Sequence, residues 1–109
     1  MYYNDIDYYR WQFVMDFPEK YRLDIEKAIF LLKQIGCKEI YLFGSVAQGS
    51  YRDNSDLDFA VRGCPADKFY YAVGKLLSEL NHSSDLIDLE RDKRFSAFLQ
   101  ENGDLIRVA

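Results

Sequence analysis

Two short apolar runs, Ile40 to Phe43 and Leu57 to Val61, constrain this chain more than any other feature. Each has strand length and is too short for a buried helix. The first stops abruptly at Gly44-Ser45. The second sits in an alternating stretch from Asp56 to Arg62, so Leu57, Phe59 and Val61 leave one face and Asp56, Asp58 and Ala60 the other. Between the runs, Val46 to Asn54 holds glycine and serine breaks and reads as a short helical turn plus loop. The chain therefore has to build a sheet, and the remaining periodicity says what packs on it.

That periodicity is helical. Ile6, Tyr9, Phe13, Val14 and Phe17 recur at helix spacing, with Asn4 or Asp5 as cap. Pro18 breaks the pattern and opens a second helix whose stripe is Tyr21, Ile25, Ala28, Ile29, Leu32 and Ile35, closed by Gly36. Pro65 opens another, with Phe69, Val73, Leu76, Leu77 and Leu80 on its apolar side. Asp85 to Leu89 reads as a third strand. Phe95, Phe98 and Leu99 predict a last helix ending at Gly103, and Leu105 to Val108 a final strand or a tail. The expected fold class is α/β (α+β): a small mixed sheet with helices packed mainly on one face. One domain is expected over 1–109, with a helical segment over 4–35 and a catalytic core over about 38–90.

Composition excludes several function classes. With 109 residues and a net charge of −4, the chain shows no basic run, so strong sequence-independent nucleic-acid binding is not expected. No apolar stretch is long enough to span a membrane, and the acidic, aromatic N-terminus is not a signal peptide. Cys37 and Cys64 lack metal-like spacing and read as a reduced pair of a cytoplasmic protein. The single His82 reads as a residue of the polar turn Asn81-His82-Ser83-Ser84, with no second histidine for a zinc site. The tyrosines crowding the first ten residues can belong to core or to a protein interface.

The chemistry is expected between Gly44 and Asp58. Asp56 and Asp58 stand two apart on a strand, about 6.6–7 Å between Cα atoms, and share a face. Carboxylates so placed bracket a hard cation, or two cations about 3.5–4 Å apart. Mg²⁺ takes only one or two carboxylates and completes its shell with phosphate and water oxygens. At Gly44-Ser45 the backbone can approach a ligand closely, and a serine hydroxyl with free N–H groups suits phosphate. Gly49 lets the chain turn back. Alone, Asp-x-Asp is common on exposed strands, and Gly-Ser marks a turn; the order and spacing of all of them together carry the signal.

That combination, Gly44-Ser45, Gly49, then Ser55-Asp56-x-Asp58, resembles the signature of the DNA polymerase beta-like nucleotidyltransferase superfamily. Six fixed identities recur by chance about once in ten million starts. The resemblance extends over Ile40 to Leu89, and the chain looks like the minimal nucleotidyltransferases, of the MntA-like antitoxin type. It implies a third carboxylate on a later strand. Asp85 and Asp88 compete for that place and point to opposite faces; related sequences carry the acid at the front of the apolar stretch, which favours Asp85. It further implies Asp56, Asp58 and Asp85 as metal ligands and catalytic residues, and Gly44, Ser45, Gly49 and Ser55 as nucleotide-binding residues. Arg52 is either a further phosphate contact or simply solvated.

The implied reaction is transfer of a nucleoside monophosphate, AMP from ATP by family analogy, with two Mg²⁺ ions. Such proteins resemble the antitoxin half of a pair whose other half is a helical HEPN ribonuclease, and the implied acceptor is a hydroxyl on that partner. Two alternatives stand beside this reading. One is a binding module that masks its partner without catalysis. The other is transfer to a small molecule, with a homo-oligomer building the pocket.

Overall fold

The computed structural model describes residues 17–102 and 105–109. The helical pattern expected before Phe17 and the helix stop expected at Gly103 lie outside them. The described elements are α1 (Glu19–Ile35), β1 (Glu39–Phe43), α2 (Gly44–Gln48), β2 (Leu57–Arg62), a 3₁₀ turn (Ala66–Lys68), α3 (Phe69–Glu79), β3 (Ser84–Asp88), α4 (Lys93–Glu101) and β4 (Ile106–Arg107).

The four strands form one mixed sheet in the order β3-β2-β1-β4. β1 runs antiparallel to both β2 and β4, whereas β2 and β3 are parallel. A parallel pair needs a crossover, and the 3₁₀ turn with α3 supplies it. The register sets Phe43 opposite Asp58 and Asp58 opposite Asp85. Hence the end of β1 and the starts of β2 and β3 meet at one edge.

On one face, Ile40, Leu42, Leu57, Phe59 and Val61 pack against Tyr21, Ile25, Ala28, Ile29 and Leu32 of α1 and Ala72 and Leu76 of α3. The α1 stripe follows the expected helical period. Gly36 ends it in the left-handed region, φ 115°, with its N–H on Leu32 O and Lys33 O, the geometry that glycine adopts without a steric penalty. In α3 the expected stripe shifts: Ala72 is buried, whereas Leu77 is 63% exposed. At 100° per residue, Phe69, Ala72, Leu76 and Leu80 complete a stripe without Leu77.

The opposite face carries Tyr41, Phe43, Ala60 and Ile87, covered by Phe95 and Leu99 of α4 and by Leu105. Asp92 caps α4 by accepting from Phe95 N at 3.1 Å. The expectation of helices mainly on one face thus holds for α1 and α3, and α4 is the exception. Residues beyond the expected core of about 38–90 complete the sheet: β4 pairs with β1, and Val108 N–H donates to Ile40 O at 2.9 Å. Cys37 and Cys64 are both free thiols. Among the described residues, no helix is long and apolar enough to cross a membrane.

Candidate active site

Gly44 is where β1 turns into α2, and its conformation requires glycine twice over. Its φ is +77°, and a Cβ built there would lie 2.2 Å from Asp58 Oδ2. The missing side chain is therefore the space that the Asp58 carboxyl occupies. α2 then runs for a single turn, and Gly49 closes it at φ 78° with its N–H on Ser45 O and Val46 O. A Cβ at Gly49 would meet nothing within 4 Å, so only backbone conformation favours glycine there. Ser45 is half-buried in the first turn of α2, at the carboxylate edge.

Asp56, Asp58 and Asp85 come together at this edge. Asp58 and Asp85 are lateral neighbours across the parallel pair, and neighbouring strands lie about 4.8 Å apart. Asp56 precedes β2, which starts at Leu57 rather than at the expected Asp56, and its charge reaches Asp58. The electrostatics report the same proximity. Burial first, then the charges of Asp85 and Asp56, push the Asp58 carboxyl up from 3.8 to about 6. Asp56 and Asp85 are exposed, whereas Asp58 is half-buried beside Phe43, whose ring meets Phe95 edge-on at 5.7 Å.

Asp88 lies elsewhere. It pairs in register with Val61, on the α1 and α3 side of the sheet, and is buried. Its Oδ1 accepts from Glu90 N at 3.0 Å, and its Oδ2 lies 3.5 Å from Arg91 Nε. Of the two acids on β3, the structure brings Asp85 to the pair and gives Asp88 a turn to hold.

Ser55 is engaged by its own loop. Its Oγ accepts from Arg52 N at 2.6 Å, and its N–H donates to Arg52 O at 3.0 Å, which folds the chain just ahead of Asp56. Arg52 is exposed. Behind this loop are residues that the sequence pattern does not single out. Tyr21 Oη lies 3.3 Å from both Arg52 O and Ser55 O. Asp24, buried in α1, accepts from Asn81 N at 3.0 Å and His82 N at 2.8 Å, and lies 2.7 Å from His82 Nδ1. His82 does lie in the expected polar turn, but its ring is tied down rather than loose. The one available signal was an acid on the buried stripe of a helix, three residues after Tyr21.

The oxygen-only donor set suits a hard cation such as Mg²⁺. Among the described residues, no three His, Cys, Asp or Glu side chains already converge on one point. The charges of Asp85 and Asp56 still reach Asp58 and, after burial, help to raise its pKa. A cleft of about 630 Å³ runs past Val46, Ala47, Gly49 and Tyr51 and touches none of the three acids. Strand register, not this cleft, brings Asp58 and Asp85 together beside Gly44.

The family model described as polymerase beta, nucleotidyltransferase matches residues 26–107. The chain belongs to this family. Three solved structures share the fold. A toxin-antitoxin with AMP-PNP is 31% identical, with a TM-score of 0.62 over 77% of this chain and 71% of that one. A mutant MntA toxin-antitoxin with glutamates replacing two aspartates is 29% identical, with a TM-score of 0.61 over 77% and 71%. The MntA-HepT toxin-antitoxin is 28% identical, with a TM-score of 0.58 over 81% and 71%. Among curated proteins no match is found.

Proposed function

We propose that this nucleotidyltransferase domain is the antitoxin of a toxin-antitoxin pair and transfers AMP from ATP to a hydroxyl of a helical HEPN-type partner, in the cytoplasm. The observation that carries the chemistry is the contact at Gly44, where the carboxyl of Asp58 fills the place of a side chain in register with Asp85. This contact sets the Gly44-Ser45 turn beside the acids, which supports reading the two as one site for a metal–triphosphate. The partner and the nucleotide rest on the toxin-antitoxin structures, one of them with AMP-PNP. One relative carries glutamates for two aspartates standing two apart, the spacing of Asp56 and Asp58.

Asp56, Asp58 and Asp85 would hold Mg²⁺, which when bound neutralises the triphosphate and acidifies the acceptor hydroxyl. The chain's own residues do the rest. Ser45 and the backbone N–H groups of the first turn of α2 donate to phosphate oxygens. Gly44 leaves room for the Asp58 carboxyl, and Gly49 turns the chain back after α2. Ser55 shapes the approach to Asp56 from within its loop. Asp85, at the exposed edge, accepts the proton of the acceptor hydroxyl as that oxygen bonds to the α-phosphorus. The bond from the α-phosphorus to its bridging oxygen breaks, and pyrophosphate leaves.

The test is incubation with MgATP labelled in the adenine, with and without a HepT-type partner. Label that moves to the partner, and does not move with Asp58→Asn, supports the reading. Partner binding with no label transferred would instead leave a masking module, and transfer to an added small molecule would redirect the acceptor.

A further inference from the structure

The acids that form the candidate site enter it on two separate segments. Asp56 and Asp58 follow the loop that ends at Ser55, and Asp85 follows the turn at Asn81-His82-Ser83. Because β2 and β3 are parallel, both segments arrive at the same edge. Strand hydrogen bonding begins to join them only at Leu57, whose N–H donates to Ser83 O at 2.9 Å. Asp58 and Asp85 are paired within that ladder, whereas Asp56 stands ahead of it. The ladder spaces Asp58 from Asp85, so what holds the two segments ahead of it, and with them Asp56, has to come from outside the sheet.

That something is one face of α1. Tyr21 and Asp24 are three residues apart and therefore neighbours on the helix surface. Tyr21 is fully buried, and its hydroxyl meets the first segment at Arg52 O and Ser55 O. Asp24, 1% exposed, meets the second segment through the N–H groups of Asn81 and His82 and the His82 imidazole. The two anchor points are themselves joined, since the Tyr21 and His82 rings lie 4.6 Å apart at 48°. A buried carboxylate is a costly way to tie a helix to a turn unless its hydrogen bonds are complete. Here three of them converge on it.

We infer that Tyr21, Asp24 and His82 are positioning residues, a clamp that holds the two entering segments, and with them Asp56, in place beside the Asp58–Asp85 pair and so tunes the affinity of the site for its metal–nucleotide complex. The clamp touches neither metal nor nucleotide. It acts through the backbone on which the ligating carboxylates are mounted, as outer-shell partners of metal ligands do. This inference rests on the reading of those three acids as the metal-holding set.

The experiment is titration of the full chain with Mn²⁺ and AMP-PNP, following bound Mn²⁺ by electron paramagnetic resonance well below the melting temperature. Tyr21→Phe removes one hydroxyl and keeps the ring, so it folds; Asp24→Asn keeps the shape and loses the charge. Each variant is expected to weaken Mn²⁺ affinity about tenfold. Leu99→Ala, in the core under α4 on the opposite face, serves as a control that loses stability without losing affinity. If Asp24→Asn does not fold, Tyr21→Phe decides alone. Wild-type Mn²⁺ affinity in folded Tyr21→Phe, with Asp58→Asn abolishing binding, overturns the clamp and leaves the site standing. The same holds if Leu99→Ala weakens binding as much as Tyr21→Phe, which would make the effect one of general stability. Binding unaffected by Asp58→Asn overturns the site itself, and the clamp with it.

Discussion

The two faces of the sheet are built for different purposes. Under α1 and α3, Leu42, Leu57, Phe59 and Val61 are all fully buried, and the acids on that side are partnered, Asp24 by Asn81 and His82 and Asp88 by Glu90 N–H and Arg91. On the other face, α4 covers Ala60, Ile87 and Leu89 but leaves the strand ends that carry Asp56, Asp58 and Asp85. One face maximises stability. The other keeps like charges together, at the expense of stability, where a cation and a triphosphate would relieve them. The difference shows why the same β2 strand must serve both: its alternation delivers Phe59 to one side and Asp58 to the other.

Substitutions on each face should break this contrast in opposite ways. The largest effect on stability belongs to the closed face: Phe59→Ala should cost about 3–5 kcal/mol by denaturant unfolding, enough to unfold much of a domain this small. Next is Gly44→Ala. It forces a side chain into φ +77° and onto Asp58 Oδ2, and should cost about 1–3 kcal/mol while also abolishing MgATP binding. Gly49→Ala shares the backbone penalty, φ +78°, without the collision. It should cost about 1 kcal/mol and retain binding, and equal damage from both glycine substitutions would contradict the role assigned to the Asp58 contact.

The smallest effect has the opposite sign. The carboxyl of Asp58 sits at about 6 rather than 3.8, so the folded protein binds its proton more tightly than the unfolded chain. Stability should therefore fall as pH rises from about 4 to about 6 and level off above. Asp58→Asn removes that penalty. Discounted for partial exposure, the gain at pH 7 is about 1 kcal/mol, disappearing by about pH 4. Thermal melts of both proteins across this range measure it, and a variant less stable than wild type at pH 7 would contradict the account.

Much of this organisation was legible in the chain. The helical stripe of α1, the Gly36 stop and the alternation of β2 follow from local periodicity and backbone conformation. So does the opposite facing of Asp85 and Asp88, because parity is a local property. The resemblance favours Asp85 of those two acids, but its place beside Asp58 is a matter of register between strands, which a single sequence does not contain. The same limit hid the clamp: Asp24 and His82 are 58 positions apart, and neither a lone acid on a buried stripe nor a lone histidine in a polar turn announces its partner. Leu77 was misplaced for a related reason. A leucine-rich stretch offers more apolar residues than one helix face can bury, and only the packed neighbours select among them.

A metal–triphosphate site at the open end of the sheet must show itself as ligand binding. Calorimetric titration of MgATP into the wild type and into the Asp56→Asn/Asp58→Asn variant, each shown to be folded by circular dichroism, tests it most directly. The wild type should bind saturably and only with Mg²⁺, and the variant should lose that binding. Equal binding by both folded proteins, or binding indifferent to Mg²⁺, would contradict it.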